Sequence, residues 1–470
     1  MKSVAIIGGG ITGLTAAFRL SQAQVPVVLY ESGSRVGGPI QTLNENGYIS
    51  EYGPNTILET SPKIASLIHD LGLDERRRNS NPAMDKNYIV RRGKLRQLPL
   101  SPLRLAGSSL FSIQAKARLC LEPFIRTRPK TEDESLADFV QRRFGREFLD
   151  YAINPFVTGV YAGTPEQLSV RYAFPRLKAL EDQYGSVMLG ALLGARERKK
   201  RKETPKSKAA KLSFDDGLQV LPDTLHARLR QSIALRSRVT GLKQTPDGWV
   251  VTFNENGREE RRPHCAVLLA APAHQMDQIH FEAEGPVNLS LLTELVHPPV
   301  ARIVMGFRRE DVIDPLAGFG FLVPKVEKLN ILGTTFSSSI FSNRAPAGHV
   351  LLTTFIGGCR QPELATQSAD QLFELALKDL HRLLGLRGKP TYQHHWLFPR
   401  AIPQYNVGHK RFIDFMNDTE SRCPGLYFAG SYRDGISAGN CIVSGHDIAE
   451  RIARFLSSTN QAPLLHAVSP

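Results

Sequence analysis

Ser3–Ile7 is a short run of small and branched apolar residues, the pattern of a buried strand. Three glycines, Gly8, Gly9 and Gly10, break it. Over 14–22 apolar residues recur at helical spacing, and 25–30 reads as a second strand that ends in Glu31. The other end of the chain repeats the theme. Residues 424–430 predict a turn, a buried strand and a glycine, and 437–456 a long helix with Ile442, Ile448, Ile452 and Phe455 among its apolar positions. Between these ends, 234–242 is strand-like, as is the run holding Trp396. Residues 95–125 are rich in Leu, Ile and Phe but are interrupted by Pro99, Pro102 and Pro123, which predicts several short helices.

The first of these patterns carries chemistry. Gly8, Gly10 and Gly13 fit G-x-G-x-x-G between strand and helix, with Gly9, Ile11 and Thr12 filling the turn, and Glu31 lies 18 residues after Gly13. The first glycine makes the tight turn, the second lets backbone approach a pyrophosphate, and the third lets the helix pack on the strand. The helix N-terminus faces the phosphates, and the acid accepts hydrogen bonds from a ribose diol. A Gly-rich turn in an unrelated βα unit is the competing reading. At the far end, Gly430 and the start of the last helix at Ile436, Ser437 and Ala438 offer free backbone N–H groups in the same manner. A plain amphipathic C-terminal helix is the alternative there.

The residues after Glu31 distinguish FAD from NAD by likeness. Ser32, Arg35, Gly37, Gly38 and Pro39 resemble the R-x-G-G extension of FAD enzymes of the amine oxidase and protoporphyrinogen oxidase type. Glu51 with Gly53, Pro54, Asn55 and Thr56 resembles their E-x-G-P segment near the isoalloxazine ring. Residues 155–163 (Pro-Phe-Val-Thr-Gly-Val-Tyr-Ala-Gly), 318–324, 402–405 (Ile-Pro-Gln-Tyr) and 439–445 extend the likeness. The chain thus resembles the oxygen-dependent protoporphyrinogen oxidase family over nearly its whole length. The resemblance implies an FAD enzyme that performs a six-electron oxidation of a porphyrinogen, a methylene bridge facing flavin N5, with O2 reoxidising the flavin to give H2O2. It implies that Val239 meets the adenine and that 436–438 meet the flavin. It places Asn87, Gly159, Leu322, Thr335 and Phe355 at the macrocycle. The family's Asp after the last strand's glycine is Ser431 here. Many members carry Arg at the position of Asn87, and some at that of Asn55. Asn cannot form the bidentate charged pair of Arg with a propionate, so Lys86, Arg91, Arg92 and Lys94 are the substitutes to be considered. No catalytic acid or base and no metal site is assigned. His394 and His395 are adjacent, a poor spacing for a metal. Protoporphyrinogen IX is the expected substrate, with coproporphyrinogen III, or another FAD oxidation of the amine oxidase or carotenoid desaturase type, as the alternatives.

Charge changes the picture only in its placement. The 470 residues carry a formal net charge of +14. Residues 76–118 alone hold a net +10 and 196–211 a net +7, which leaves a slightly acidic remainder. The first segment mixes cations with apolar residues, as a monotopic membrane-binding element does, although a lid packed on the protein's own core has the same pattern. The second lacks apolar residues and reads as a solvated polybasic loop. With no aromatic interleaving, nucleic acid is not expected as a partner. Five scattered Cys argue against a disulfide framework. No stretch of about 18 apolar residues predicts a membrane span. A cytoplasmic location is expected, with peripheral attachment to the inner face of the membrane. The oligomeric state is open, a homodimer included.

These patterns predict an α/β fold, α+β as a whole. A Rossmann-like FAD-binding domain (1–86, 212–285 and 411–470) receives an inserted helical membrane-associating domain (87–195). The polybasic loop (196–211) and a mixed-sheet substrate domain (286–410) complete it.

Overall fold

A computed structural model describes residues 3–99, 101–129, 132–200, 209–255, 257–285 and 287–460. Its first layer is an eight-stranded sheet. Ser3–Ile7 lies at the centre, parallel to Val27–Tyr30 on one side and to the end of Arg258–Leu269 on the other. Ile233–Ala234 extends it beyond Val27–Tyr30, and Leu426–Phe428 beyond Arg258–Leu269, both parallel. Such parallel strands are buried on both faces, which is why they read as unbroken apolar runs. Arg258–Leu269 also bends out of this layer, and its first half pairs antiparallel with Gly248–Glu255, which pairs with Ser237–Thr245. The strand expected over 234–242 is therefore two strands. They part at Arg236, whose φ of +53° turns the chain.

Helices Ile11–Gln22 and Ala438–Asn460 cover one face of this sheet. They pack closely because a Cβ on Gly445 would come within 2.5 Å of the Thr12 carbonyl oxygen. The opposite face packs on Leu289–Glu294 and Lys410–Arg422.

The second layer is a seven-stranded sheet in the order Tyr392–Phe398, Val300–Arg308, His349–Gly357, Ile331–Phe336, Gly320–Leu322, Asn87–Arg91, Lys94–Gln97. Asn87 was expected to open the helical insertion. Instead Asn87–Arg91 and Lys94–Gln97 are strands of this sheet, because Asn87–Arg91 finds a parallel partner in Gly320–Leu322. One face buries Ile303, Met305, Phe321 and Phe336 against helix Ala369–Leu384. That helix is amphipathic and starts with a Ser368–Gln371 capping box.

The inserted helices come next in the chain. Pro102–Gly107 and Ile113–Cys120 are the short segments expected between prolines. Leu136–Phe144, Asn154–Tyr161, Pro175–Tyr184 and Val187–Lys200 form the rest. Their packing includes a buried charge cluster. Arg143 is fully buried and donates to Glu122 (3.0 Å) and Glu181 (2.9 Å). The Glu122 carboxylate accepts the backbone N–H groups of Val187 and Met188 at the head of Val187–Lys200. The loop expected over 196–211 begins later than predicted, because that helix continues to Lys200 and a strand, Lys211–Phe214, begins at the other end. Residues 201–208 lie outside the described residues.

Candidate active site

The turn at 8–13 leaves space where a ligand would come. Gly8 has φ of +111°, and a Cβ there would meet the backbone of Ala270 and Ala271. A Cβ on Gly13 would collide with the Gly8 carbonyl oxygen, so helix and strand sit closer than any side chain permits. Around Gly10, by contrast, nothing lies within 4 Å of where a Cβ would stand. Gly10 is the N-cap of Ile11–Gln22, no side chain caps it, and no acid occupies the first turn. Free N–H groups thus face open space, the arrangement that takes a phosphate. Glu31 is held beside them. It accepts from Gly9 N–H (2.8 Å) and Gly33 N–H (2.6 Å), which leaves further lone pairs for a diol. Gly37 N–H donates to Gly9 (2.8 Å), bringing Gly37, Gly38 and Pro39 alongside. Arg35 is tied to the carbonyls of Val36 and Gly38 in its own loop. Val239 is buried beside Tyr30, and the Glu31 carbonyl accepts from Ser237. These residues fit an FAD dinucleotide.

The last helix joins them. Cys441 bonds to Thr12, so the heads of the two helices lie side by side. Asp434, missed by the sequence reading, supports this junction by accepting from Gly430 N–H (3.2 Å) and Ser444 (2.5 Å). Burial raises its carboxyl above the usual range, and these hydrogen bonds oppose the shift. Tyr405 of the Ile-Pro-Gln-Tyr segment ties the same loop down. Its hydroxyl donates to the Ser431 carbonyl (2.5 Å) and accepts from Gly435 N–H (2.9 Å). Ile436 packs at the edge of the helical core with Tyr405.

The face of the seven-stranded sheet opposite helix Ala369–Leu384, partly covered by the inserted helices, gathers the substrate candidates. Cross-strand register aligns Asn87, Gly320, Thr335 and Thr353 in one row and Ile89, Leu322, Gly333, Phe355, Arg302 and Trp396 in the next row on that face. Gly159 belongs with them, since a Cβ on it would strike Leu322. At the other end of the row, Tyr52 packs edge-on against Trp396 at 4.9 Å. The 53–56 segment therefore lies on the same face as Leu322, Thr335 and Phe355.

Arg302 makes that junction. It is 1 % exposed and donates to the carbonyls of Tyr52 and Gly53 and to Asn55 Oδ1 (2.5 Å). Burial pushes its guanidinium down to about 9, and Glu51 opposes that shift, so it stays charged at neutral pH. The signal was present in the sequence as one cation inside an otherwise apolar strand, Val300–Phe307 excepting Arg302. Of the substitute cations considered for a propionate, Arg91 is already paired with Glu147 at 2.6 Å and stacked on Tyr151. Asn87 shares the face, two strands from Thr335. His394 stacks on Trp396 at 4.2 Å.

Comparison with known proteins shows the family. Residues 11–453 match the model of the flavin containing amine oxidoreductase family. Protoporphyrinogen oxidase 2 of Arabidopsis thaliana is 36 % identical, the match covering 97 % of this chain and 95 % of that protein. Coproporphyrinogen III oxidase of Bacillus subtilis is 28 % identical over 97 % of this chain and 99 % of that one. A solved structure from Exiguobacterium sp. 255-15, assigned as a protoporphyrinogen oxidase, superposes with a TM-score of 0.79 at 25 % identity, covering 96 % and 99 % of the two chains. The chain is an FAD-dependent oxidoreductase that belongs to the protoporphyrinogen oxidase family within the flavin containing amine oxidoreductases.

Proposed function

We propose that this protein oxidises protoporphyrinogen IX to protoporphyrin IX, with O2 as the final acceptor and H2O2 as co-product. The observation that carries the reading is the shared face of the second sheet, where Ile89, Leu322, Thr335 and Phe355 stand in register beside the 53–56 segment. Bound FAD supplies the two-electron chemistry. The protein's part is placement. Gly8–Gly10 and the N–H groups of Ile11, Thr12 and Gly13 hold the pyrophosphate, Glu31 the ribose, and Val239 the adenine. Residues 436–438 meet the ring. Leu322, Phe355 and Gly159 give a flat apolar wall for the macrocycle, and Asn87 a polar contact at its rim. No acid or base is assigned, and none is required for placement.

The test is kcat/KM for protoporphyrinogen IX and for coproporphyrinogen III, read by porphyrin fluorescence. The larger value is expected for protoporphyrinogen IX. The reverse order moves the assignment to coproporphyrinogen III, and oxidation of an amine with neither porphyrinogen overturns it.

Peripheral attachment to the inner face of the membrane is part of the same proposal. Ile113 is 83 % and Phe124 is 86 % exposed, with Leu192 and Leu193 exposed on the helix that Glu122 anchors. Among the described residues no helix is long and apolar enough to cross a membrane. Apolar side chains beside the cations of 116–128 suit an anionic lipid surface. Cosedimentation with phosphatidylglycerol vesicles is expected, and Phe124→Asp with Ile113→Asp should abolish it.

A further inference from the structure

Arg302 is a buried cation whose bonded partners are all neutral. It donates to the carbonyls of Tyr52 (3.1 Å) and Gly53 and to the amide oxygen of Asn55 (2.5 Å). Among the described residues it makes no ion pair, and its Nε has no hydrogen-bond partner. The acid that acts on it is Glu51. That buried carboxylate is already engaged by Thr42 (2.7 Å), by Leu218 N–H (3.0 Å) and, at 3.5 Å, by a second buried guanidinium, Arg344. Asp215 and Asp216, the other acids that act on Arg344, are held by Arg76. Two buried cations thus share one carboxylate. A buried charge in excess is costly unless an opposite charge completes it.

The segment that Arg302 holds lies along the path of the cofactor. A dinucleotide with its ribose at Glu31 and its phosphates at Gly10 has its flavin half beyond the phosphates. Close backbone approaches trace what stands there. A Cβ on Gly38 would lie 3.6 Å from the Gly10 Cα, and one on Gly53 only 2.3 Å from the Pro39 carbonyl oxygen. One on Gly439, in the first turn of the last helix, would lie 2.7 Å from the Leu58 carbonyl oxygen. Residues 53–58 therefore run from the phosphate turn to the head of the last helix, and the flavin half lies along them. Arg302 stands behind this segment, on the sheet face it shares with Phe355, and its guanidinium carbon is 5.6 Å from the Phe355 ring centroid.

Reduction of the flavin supplies the missing negative charge. Two electrons and one proton turn the neutral oxidised ring into a reduced anion, one unit more negative. A cation near the ring is one of the means by which a protein tunes such a cofactor. We infer that the buried charge of Arg302 raises the reduction potential of the bound flavin, by favouring the reduced anion over the neutral oxidised ring. Arg302 acts by its charge, from behind the 53–58 segment. The inference rests on FAD and not on which porphyrinogen is oxidised.

The test measures the midpoint potential of the FAD-loaded full chain at neutral pH, with no porphyrinogen present. Xanthine, oxidised to urate by xanthine oxidase, supplies two electrons at a time through a mediator to the flavin and to a reference dye of known potential. Arg302→Gln keeps hydrogen-bond donors and removes the charge, whereas Arg302→Lys keeps the charge. A unit charge acting over about 10 Å at an effective dielectric of about 20 changes such an equilibrium about tenfold. Arg302→Gln should therefore favour the oxidised form about tenfold, a fall of about 30 mV for a two-electron couple. Arg302→Lys should stay within about threefold of the wild type, since the charge remains. Where a variant holds FAD weakly, the ratio of its Kd values for oxidised and dithionite-reduced FAD reads the same quantity. An unchanged midpoint in Arg302→Gln overturns the inference. An equal fall in both variants also overturns it, because Arg302 would then act only as a brace for the 52–55 loop. So does an Arg302→Gln chain that binds neither form of FAD, because the charge would then serve the fold of that loop. Porphyrinogen turnover enters none of these readings, so a chain that shows the shift but oxidises neither porphyrinogen fails the activity alone.

Discussion

At the turn from the first strand into the first helix, the groups offered to a ligand are backbone N–H groups with almost no side chain around them. On the face of the seven-stranded sheet opposite helix Ala369–Leu384 the groups are side chains, brought together from positions as far apart as Asn55 and Arg302, 247 residues distant in the chain. The first region achieves close approach by absence: nothing surrounds Gly10, and Gly13 has no room for a Cβ. The second achieves specificity by presence, through a buried cation, an oriented amide and an apolar wall. One half can be damaged only by adding atoms and the other chiefly by removing them. Mutations separate the two halves.

The largest effect is expected at Gly13. Gly13→Val places branched carbon against the Gly8 carbonyl and forces the helix off the strand. The purified variant should be colourless and recover no flavin on incubation with FAD, while its far-UV circular dichroism keeps a folded signal from the second sheet. Flavin bound at wild-type stoichiometry would show that the turn is not where close approach matters.

Next comes the inserted helical layer, which is held by removable side chains. Arg143→Met leaves the buried carboxylates of Glu122 and Glu181 without their shared cation. Burial alone would raise the Glu181 carboxyl, but hydrogen bonds from Arg142, Lys178 and Arg143 pull it down to about 2. Removing one partner of such a cluster costs about 3–5 kcal/mol. Urea denaturation should show that loss, and a change below about 1 kcal/mol would mean that water enters the cluster.

The contrast also explains which parts were legible in the sequence. The glycine turn, the strands around it and Glu31 depend on spacing within some thirty residues, and spacing is what a sequence displays. Helix Ile11–Gln22 starts three residues before its expected position because glycine and Thr conceal a helix start. The substrate face depends on register between strands. Thr335, Leu322 and Phe355 were named by family likeness, yet nothing local showed that they share a face with Arg302 or that Arg302 holds Asn55. Asn87–Arg91 was assigned to the helical insertion because its partner, Gly320–Leu322, lies more than two hundred residues on. For Arg302 the available signal is a lone cation in an apolar strand.

Tyr405 ties the last loop to the inserted helical layer, and its effect should be intermediate. Tyr405→Phe keeps the ring but leaves Gly435 N–H and the Ser431 carbonyl without the hydroxyl that bridges them. A loss of about 1–2 kcal/mol is expected, seen as roughly tenfold weaker FAD retention in a flavin-release titration. Unchanged retention would separate the last loop from cofactor binding.

The smallest effect at neutral pH is expected at the ring beside it. His409 is 1 % exposed and stacks on Tyr405 at 4.4 Å, between Tyr172 and Phe412, and neither ring nitrogen has a hydrogen-bond partner among the described residues. Burial pushes its pKa down to about 4, against the opposing charge of Asp133. A folded-state value below the ordinary 6.5 means that the unfolded chain binds the proton more readily between those limits. Stability from the neutral ring is thus full above pH 6.5 and is lost as pH falls toward 4, at about 1.4 kcal/mol per unit. His264 and His297, also pushed to about 4 chiefly by burial, add to the same acid limb. His409→Phe preserves the stack and removes one titrating group. At pH 7 its stability should match the wild type within about 1 kcal/mol. Between pH 7 and pH 5 it should lose about 2 kcal/mol less than the wild type does. Equal acid losses in the two proteins would mean that His409 takes up its proton in the folded state as readily as in the unfolded chain.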